Sequence, residues 1–230
     1  MTIKKTISKL LQLMILVLMM GCNAEFTYMG PISEGFEYDF VAAAINRTHK
    51  NITYNGNYYV IPYPNGDIPP HLGVCTDVII RSYRSIGIDL QKLVHEDIKN
   101  NFNSYPISKH WPKQHKPDTN IDHRRVPNLQ TFFKRHGGEL PITQNENDYK
   151  PGDIVTWDIK GSSPWHIGIV THRKSLTTGN PLIVHNMGRG PVIDDILFSY
   201  PITGHYRYVP QKYSNDIMVM LPYMDKKIKI

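Results

Sequence analysis

The sequence has 230 residues, of which 40% are hydrophobic and 20% charged, a composition typical of a globular domain. Its formal net charge is +6, but Lys4, Lys5 and Lys9 stand in an N-terminal stretch without acidic residues. The other 23 Lys and Arg are balanced by 20 Asp and Glu, which leaves a net charge of +3. This small excess argues against nucleic-acid binding, and the sequence contains no Gly-rich phosphate loop.

The N-terminal residues predict export. An apolar run over residues 10–20, interrupted only by Gln12, is too short to cross a bilayer core of about 30 Å. Gly21-Cys22 ends the run and resembles a bacterial lipobox, whose cysteine is acylated and becomes the new N-terminus. We therefore expect a signal peptide over residues 1–22, lipidation at Cys22 and a tether over residues 23–33. The alternative is a plain signal peptide cut near Ala24.

The expected location is the cell envelope, with the protein held to a membrane by its lipid and facing the periplasm or the exterior. Asn23 rather than Asp follows Cys22, which favours the outer membrane in a source with two membranes. Cys75 is the only other cysteine, so acylation of Cys22 leaves it without a disulfide partner. It is therefore either a small buried hydrophobic residue or a functional thiol.

Hydrophobic periodicity divides the rest of the chain into helices followed by strands. It predicts helices over residues 34–49, 76–86, 90–100 and 128–136, the last capped by Asn128. Asn55-Gly56 predicts a hairpin between two Tyr-rich strands, residues 52–54 and 58–63. After residue 150 a period of two predicts strands over residues 153–159, 166–171, 182–185 and 204–209.

Helices first and strands second predict an α+β domain over residues 34–210, with N-terminal helices packed on a mostly antiparallel β-sheet. Residues 103–127 are rich in Pro, Lys and His and are predicted as a long surface loop. Residues 211–230 form a basic tail for which no element is predicted.

Cys75 is the predicted nucleophile. It stands at or just inside the N-terminus of the helix predicted over residues 76–86, where unpaired backbone N–H groups and the helix dipole favour negative charge. Such a position lowers the pKa of a thiol, and its N–H groups can hold the oxyanion of a tetrahedral intermediate. The base must come from another part of the chain.

His166 is the predicted base. It opens the strand predicted over residues 166–171, and Gly168 lies on the same strand face, where a missing side chain permits close approach of another segment. His185 ends the next predicted strand, so neighbouring strands bring its ring beside His166 as the group that orients it. A nucleophile, a base and an orienting group are the parts of a hydrolytic triad.

These residues carry a resemblance to known enzymes. Cysteine at a helix start, then Gly-Asp-Ile-Val-Thr-Trp (152–157), His-Ile-Gly-Ile-Val (166–170) and Ile-Val-His (183–185), resembles the NlpC-type cell-wall cysteine peptidases. A more specific resemblance, over roughly residues 35–209, is to the YijF-like bacterial proteins, a family of unknown function. The stretches that carry it are residues 73–78, 94–97, 120–129 and 201–206.

The resemblance implies a papain-like fold in which Cys75, His166 and His185 are catalytic in this chain order. It also implies that the substrate is a peptide of the peptidoglycan cell wall or another amide of the envelope. Thr76-Asp77 follows the cysteine where those peptidases usually have Ser-Gly, so their acceptor pocket is not carried over.

Four further residues are candidate accessory groups. Asp77 either stabilises the first turn of the helix or binds a substrate amine or an arginine. Because its charge would raise the pKa of Cys75, an active enzyme needs a basic neighbour, for which Arg124 and Arg125 are candidates. Asn186 is the alternative to His185 as the orienting group.

The leading hypothesis is a cysteine hydrolase that cleaves an amide bond through an acyl-enzyme and needs no cofactor. Three alternatives remain: a thiol acyltransferase of the same fold, a non-catalytic binding module of the envelope, and a zinc amidase. The zinc hypothesis draws on the 11 histidines, among them His95, His110, His115, His123 and His205. Their spacing matches no ligand motif, so no metal site is predicted.

Overall fold

The computed structural model describes residues 26–28, 35–160 and 165–210. The predicted signal peptide, Cys22 and the tail over residues 211–230 lie outside the described residues. No helix in the described part is long and apolar enough to cross a membrane.

Five α-helices form the first half of the described chain, and four of them correspond to the predicted helices. Their bounds are Phe36–Arg47 (α1), Cys75–Ser85 (α2), Leu90–Asn100 (α3), Ile107–His110 (α4) and Val126–Arg135 (α5). The helix predicted to be capped by Asn128 begins two residues earlier, at Val126. Asn128 is buried in its first turn and donates a hydrogen bond from Nδ2 to the Asp122 carbonyl at 3.0 Å, so the predicted cap is wrong.

The second half forms an antiparallel sheet. The strands are β4 (Ile154–Asp158), β5 (Trp165–Ser175), β6 (Pro181–His185), β7 (Val192–Asp194) and β8 (Ile202–Tyr206), in the spatial order β7-β6-β5-β4-β8. β1 (Phe26–Tyr28) lies within the segment predicted as a tether and pairs antiparallel with the C-terminal end of β5. The expected α+β class, with helices packed on an antiparallel sheet, is confirmed.

The hairpin predicted at Asn55-Gly56 does not form. Thr53–Tyr54 (β2) instead pairs in parallel with Leu72–Gly73 (β3), directly before α2. No strand is described over residues 58–63. This pairing fixes the backbone that leads into Cys75, so a long-range contact has overridden the local turn signal.

The predicted surface loop over residues 103–127 is only partly a surface loop. It contains α4 and a 3₁₀ turn, Asp122–Arg124, whose three side chains are buried. Tyr105 and Ile107 are also buried. The segment therefore contributes to the core as well as to the surface.

The two faces of the sheet pack against different parts of the chain. Ile154, Ile167, Ile169 and Val184 lie in the core that the helices cover. Val155, Trp157, Val170 and Ile183 alternate with them and form a second, smaller core with Tyr149 and Leu197. The indole N–H of Trp157 donates to the Leu197 carbonyl at 2.9 Å, which satisfies its buried polar atom.

Candidate active site

Cys75 is the first residue of α2 and lines an open cleft. Val74 before it is extended, and β3 ends at Gly73, so the chain turns from strand to helix at the cysteine. The cleft has a volume of about 540 Å³, and Trp111, Trp165 and Arg124 are among its lining residues. Only 6% of Cys75 is exposed, and that part faces the cleft.

The thiol of Cys75 has a pKa raised to about 12, opposite to the direction expected from a helix N-terminus. Burial is the largest cause, and the negative charge of Asp77 adds to it. Hydrogen bonds from the backbone N–H groups of Ile167, Thr76 and Cys75 lower this pKa but do not outweigh the other causes. The resting cysteine is therefore a neutral thiol.

His166 and His185 lie on neighbouring strands and contact each other directly. The Nε2 atom of His166 and the Nδ1 atom of His185 are 3.0 Å apart, and their rings are nearly perpendicular. Gly168 stands opposite His185 in the β5–β6 register. A Cβ at Gly168 would lie 2.5 Å from Ile183 Cγ2 and 3.0 Å from the Val184 carbonyl oxygen, so the missing side chain permits this strand spacing.

The cysteine meets β5 at its edge. His166 stands opposite Trp157 in the β4–β5 register and projects with it from the sheet face that the helices do not cover. The sulfur of Cys75 accepts a hydrogen bond from the backbone N–H of Ile167, the residue after His166, where the β5–β6 pairing has ended. Among the described residues, no hydrogen bond joins the sulfur to either imidazole.

Both imidazoles are neutral at rest. Burial, and to a smaller degree the nearby His185, lowers the pKa of His166 to about 3. Burial also lowers the pKa of His185, but the carboxylate of Asp194 opposes this shift. Asp194 Oδ2 is 3.5 Å from His185 Nε2, at the outer strand β7. His166, His185 and Asp194 thus follow one another from β5 across β6 to β7 at the edge of the sheet.

A comparison with protein families decides where this chain belongs. A model described as a domain of unknown function, DUF1287, matches residues 41–208. The uncharacterized protein YijF of Escherichia coli K12 is 48% identical over 155 residues, which cover 67% of this chain and 73% of that protein. The chain is a member of the DUF1287 family. The predicted resemblance to the YijF-like proteins is confirmed.

The DUF1287 domain is also similar to solved structures of low sequence identity. NlpC1 of Trichomonas vaginalis is 14% identical, with a TM-score of 0.41 over 80% of this chain and 48% of that one. This chain thus spans about half the length of NlpC1. An N-acetylmuramoyl-L-alanine amidase of Bacteroides uniformis is 13% identical, with a TM-score of 0.44 over 74% of this chain and 98% of that one.

Asp77 of the DUF1287 domain is fully engaged within the protein. Arg124 donates to both of its carboxylate oxygens, from Nε at 2.9 Å and from a terminal guanidinium nitrogen at 3.0 Å. The Val74 backbone N–H donates to Oδ2 at 2.7 Å, which closes the first turn of α2. Asp77 is 3% exposed, so it has no oxygen left for a substrate amine. Arg124 is the basic neighbour that the sequence required.

The other two accessory candidates have different positions. Arg125 lies over the Trp111 ring at 3.8 Å and donates to the side chain of Gln114, so it does not contact Asp77. Asn186 donates to the Gly73 carbonyl at 3.4 Å and therefore braces the segment before Cys75. It is His185, not Asn186, whose side chain contacts His166.

The histidines of the zinc hypothesis are spread over the DUF1287 domain. His110 packs on Trp165, with ring centroids 4.7 Å apart, and His205 pairs with the buried Asp153 at 2.8 Å. His123 is buried, and burial lowers its pKa to about 3. Within the described ranges, no group of three or more His, Cys, Asp or Glu side chains is placed to hold a metal ion.

Sequence reasoning missed two features of the site. Asp194 lies on a strand of three residues, too short for a periodicity signal, although Val192 and Ile193 before it are β-branched. Trp111 and Trp165 meet across the cleft from segments 54 residues apart, with ring centroids 6.1 Å apart. A Trp in a polar segment, here Trp111, was the feature of the sequence that could have predicted an aromatic side of the cleft.

Proposed function

We propose that this protein is a cysteine hydrolase that cleaves an amide bond in a peptide of the cell wall. One observation carries the proposal: a thiol at a helix start opens on a cleft and accepts a hydrogen bond from the backbone N–H of Ile167, and the neighbouring residue, His166, belongs to a buried imidazole pair whose ring nitrogens are 3.0 Å apart. The predicted export of the chain supports an envelope substrate.

The proposed chemistry starts from a neutral thiol and a neutral imidazole. His166 Nε2 is engaged with His185, so Nδ1 is the nitrogen left to take the thiol proton. Because His166 projects from the sheet face remote from α2, this transfer requires the thiol to reach the ring around the edge of β5, where the sulfur already accepts from the Ile167 N–H. The sulfur then attacks the amide carbon, and backbone N–H groups at the start of α2 stabilise the oxyanion. His166 returns the proton to the departing amine, and an acyl-enzyme remains on Cys75. Water, deprotonated by His166, hydrolyses the thioester and restores the thiol.

His185 and Asp194 determine which nitrogen of His166 holds a proton. When its proton is on Nε2, His166 donates a hydrogen bond to His185 Nδ1. The proton of His185 is then on its own Nε2, which faces the Asp194 carboxylate. His166 Nδ1 is then unprotonated and able to act as the base. When His166 becomes an imidazolium, the carboxylate offsets its charge through the His185 ring.

The test is incubation of the full protein with purified wall fragments, with products identified by mass spectrometry. We expect cleavage by the wild type, none by Cys75→Ala and a loss of about 10²–10⁴-fold in His166→Ala. His185→Ala should lose less, and His49→Ala, which removes an exposed histidine just after α1, should behave as wild type. Activity that survives in Cys75→Ala would overturn the mechanism.

Two further conditions separate the alternatives. Activity should survive a chelator and be lost to thiol alkylation, whereas loss with EDTA and recovery with zinc would establish the metal-dependent alternative. Added amines should leave the product distribution unchanged. Transfer of the acyl group to the amine in preference to water would identify an acyltransferase instead.

We also propose that Cys22 is acylated and holds the enzyme to a membrane of the cell envelope. The basic start, the short apolar run and Gly21-Cys22 support this proposal. Cys22→Ala should release the protein from membranes or block its processing, as measured by fractionation and detergent partitioning. Mass spectrometry that finds an unmodified mature N-terminus at any other residue would contradict it.

A further inference from the structure

A second hollow adjoins the cleft at Cys75. It has a volume of about 1060 Å³ and shares Tyr58, Trp111, Ile121 and Arg125 with that cleft, so the two hollows adjoin along these side chains and are together called the groove. Residues 110–121 provide most of its lining. A ligand whose reacting bond lies at Cys75 therefore has room to extend across Trp111 into this hollow.

Buried polar contacts fix the shape of the hollow. Asp122, which is fully buried, accepts hydrogen bonds from Gln114 Nε2 at 2.8 Å and from the Asp118 backbone N–H at 2.6 Å. Asn120 Oδ1 accepts from the backbone N–H of Ile61 at 2.9 Å. These contacts join the loop to itself and to a distant segment, so its outward side chains are presented by a preorganised backbone.

The lining of the hollow carries more positive than negative charge, with Lys113, Lys116 and Arg125 against Asp118. The one acidic side chain in its lining, Asp118, accepts hydrogen bonds from Tyr58 and Asn120. Lys113 and Lys116 are exposed and have no ion pair or side-chain hydrogen bond within the described part of the chain. Two lysines on a fixed loop thus face the groove without an acidic partner.

We infer that this hollow binds the carboxylate-bearing arm of an acidic peptide substrate. The scissile amide lies at Cys75, apolar parts of the peptide pack on Trp111 and Tyr58, and free carboxylates pair with Lys113 and Lys116. The inference deepens the proposed function and rests on it for the position of the scissile bond. It assigns Lys113 and Lys116 to substrate recognition, not to chemistry.

Binding to the inactive Cys75→Ala protein tests this assignment without turnover. The probes are a synthetic wall peptide with its free carboxylates and the same peptide with every carboxylate amidated, each titrated by calorimetry. We expect the amidated peptide to bind at least tenfold more weakly, and added salt to weaken only the free acid. Lys113→Gln with Lys116→Gln should remove this preference. Lys50→Gln with Lys99→Gln, two exposed lysines outside the groove, should keep it.

The outcomes separate this inference from the proposed function. Equal binding of both peptides by the parent, or a preference unchanged in the Lys113/Lys116 variant, overturns the inference even if the wild type cleaves both peptides. A lysine-dependent preference with no cleavage by the wild type supports the inference and overturns the proposed function. Lysine-dependent sedimentation with phosphatidylglycerol vesicles, without discrimination between peptides, overturns it in favour of a membrane contact.

Discussion

At the residue scale, Cys75 experiences opposing influences on its ionisation. The backbone N–H groups around it favour the thiolate, but burial and the charge of Asp77 favour the thiol and raise its pKa to about 12. His166, with its pKa lowered to about 3, does not supply a resting imidazolium. In the proposed mechanism, proton transfer therefore belongs to the attack itself, as in enzymes that activate a neutral nucleophile with a general base.

This ionisation state predicts how Cys75 reacts with iodoacetamide. Because the thiolate is the reactive form, alkylation should be very slow at pH 6 and rise steadily through pH 9, above the pKa of about 8.5 of a free thiol. Mass spectrometry of the peptide that contains Cys75 gives the rate at each pH, and a short unstructured cysteine peptide is the reference. A plateau between pH 5 and 7 that disappears in His166→Ala would instead establish a thiolate–imidazolium pair.

The sequence predicted the residues of the site but not their ionisation. Cys75, His166 and His185 follow from a helix start and two strand ends, which are local patterns. Whether the pKa of Cys75 rises or falls depends on how completely the surrounding chain excludes water. The degree of burial cannot be read from a pattern of residue types. For the same reason the sequence named Arg124 only as one of two candidate partners for Asp77, and it did not predict the complete burial of the Asp77–Arg124 pair.

At the scale of elements, the spacing of β5 and β6 controls the imidazole pair. Gly168→Ala would place a methyl group 2.5 Å from Ile183 Cγ2, 3.0 Å from the Val184 carbonyl oxygen and 3.2 Å from His185 Cβ. The strands must separate to accept it, which moves His185 away from His166. We expect a loss of about 1–3 kcal/mol in the free energy of unfolding and a loss of hydrolysis.

Denaturant unfolding and turnover measure the two effects of Gly168→Ala. Gly56→Ala is the control for stability, because its Cβ would meet only Val74 Cγ1, at an ordinary 3.8 Å. Wild-type stability and activity in Gly168→Ala would show that the close approach of the strands is not required.

Long helices with a clear period were predicted well, whereas short strands were not. The helix predicted over residues 90–100 has those bounds in the structure, since Leu90, Val94 and Ile98 form one buried stripe. β7 was missed, and the hairpin at Asn55-Gly56 was wrong. A strand of two or three residues is stabilised by its partner, and the partner is not visible in a local window.

At the scale of the whole molecule, buried neutral histidines predict acid sensitivity. His123 and His166 have pKa values lowered to about 3, against about 6.5 in an unfolded chain. Below pH 6.5 the unfolded state binds protons that the folded state does not, so this stability is present at pH 7 and is lost as the pH falls toward 3. Within that window, each histidine contributes about 1.4 kcal/mol per pH unit to the slope of the free energy of unfolding against pH.

Denaturant unfolding at pH values from 7 to 4 measures this slope. His123→Gln removes one of the two groups and should reduce the slope by about 1.4 kcal/mol per pH unit, provided that its midpoint at pH 7 shows a folded protein. A slope that His123→Gln leaves unchanged would mean that this histidine binds protons equally in the folded and unfolded states.

The pairing of β1 with the C-terminal end of β5 places the start of the described chain far from His166. Phe26 lies opposite Ser175, and His166 is nine residues before Ser175 on the same strand, a separation of about 30 Å. Cys22 precedes Phe26 by only four residues. If Cys22 carries the lipid, the membrane lies at the Ser175 end and the cleft at the end remote from it. Such a molecule would cleave the wall polymer at a fixed distance from its own membrane.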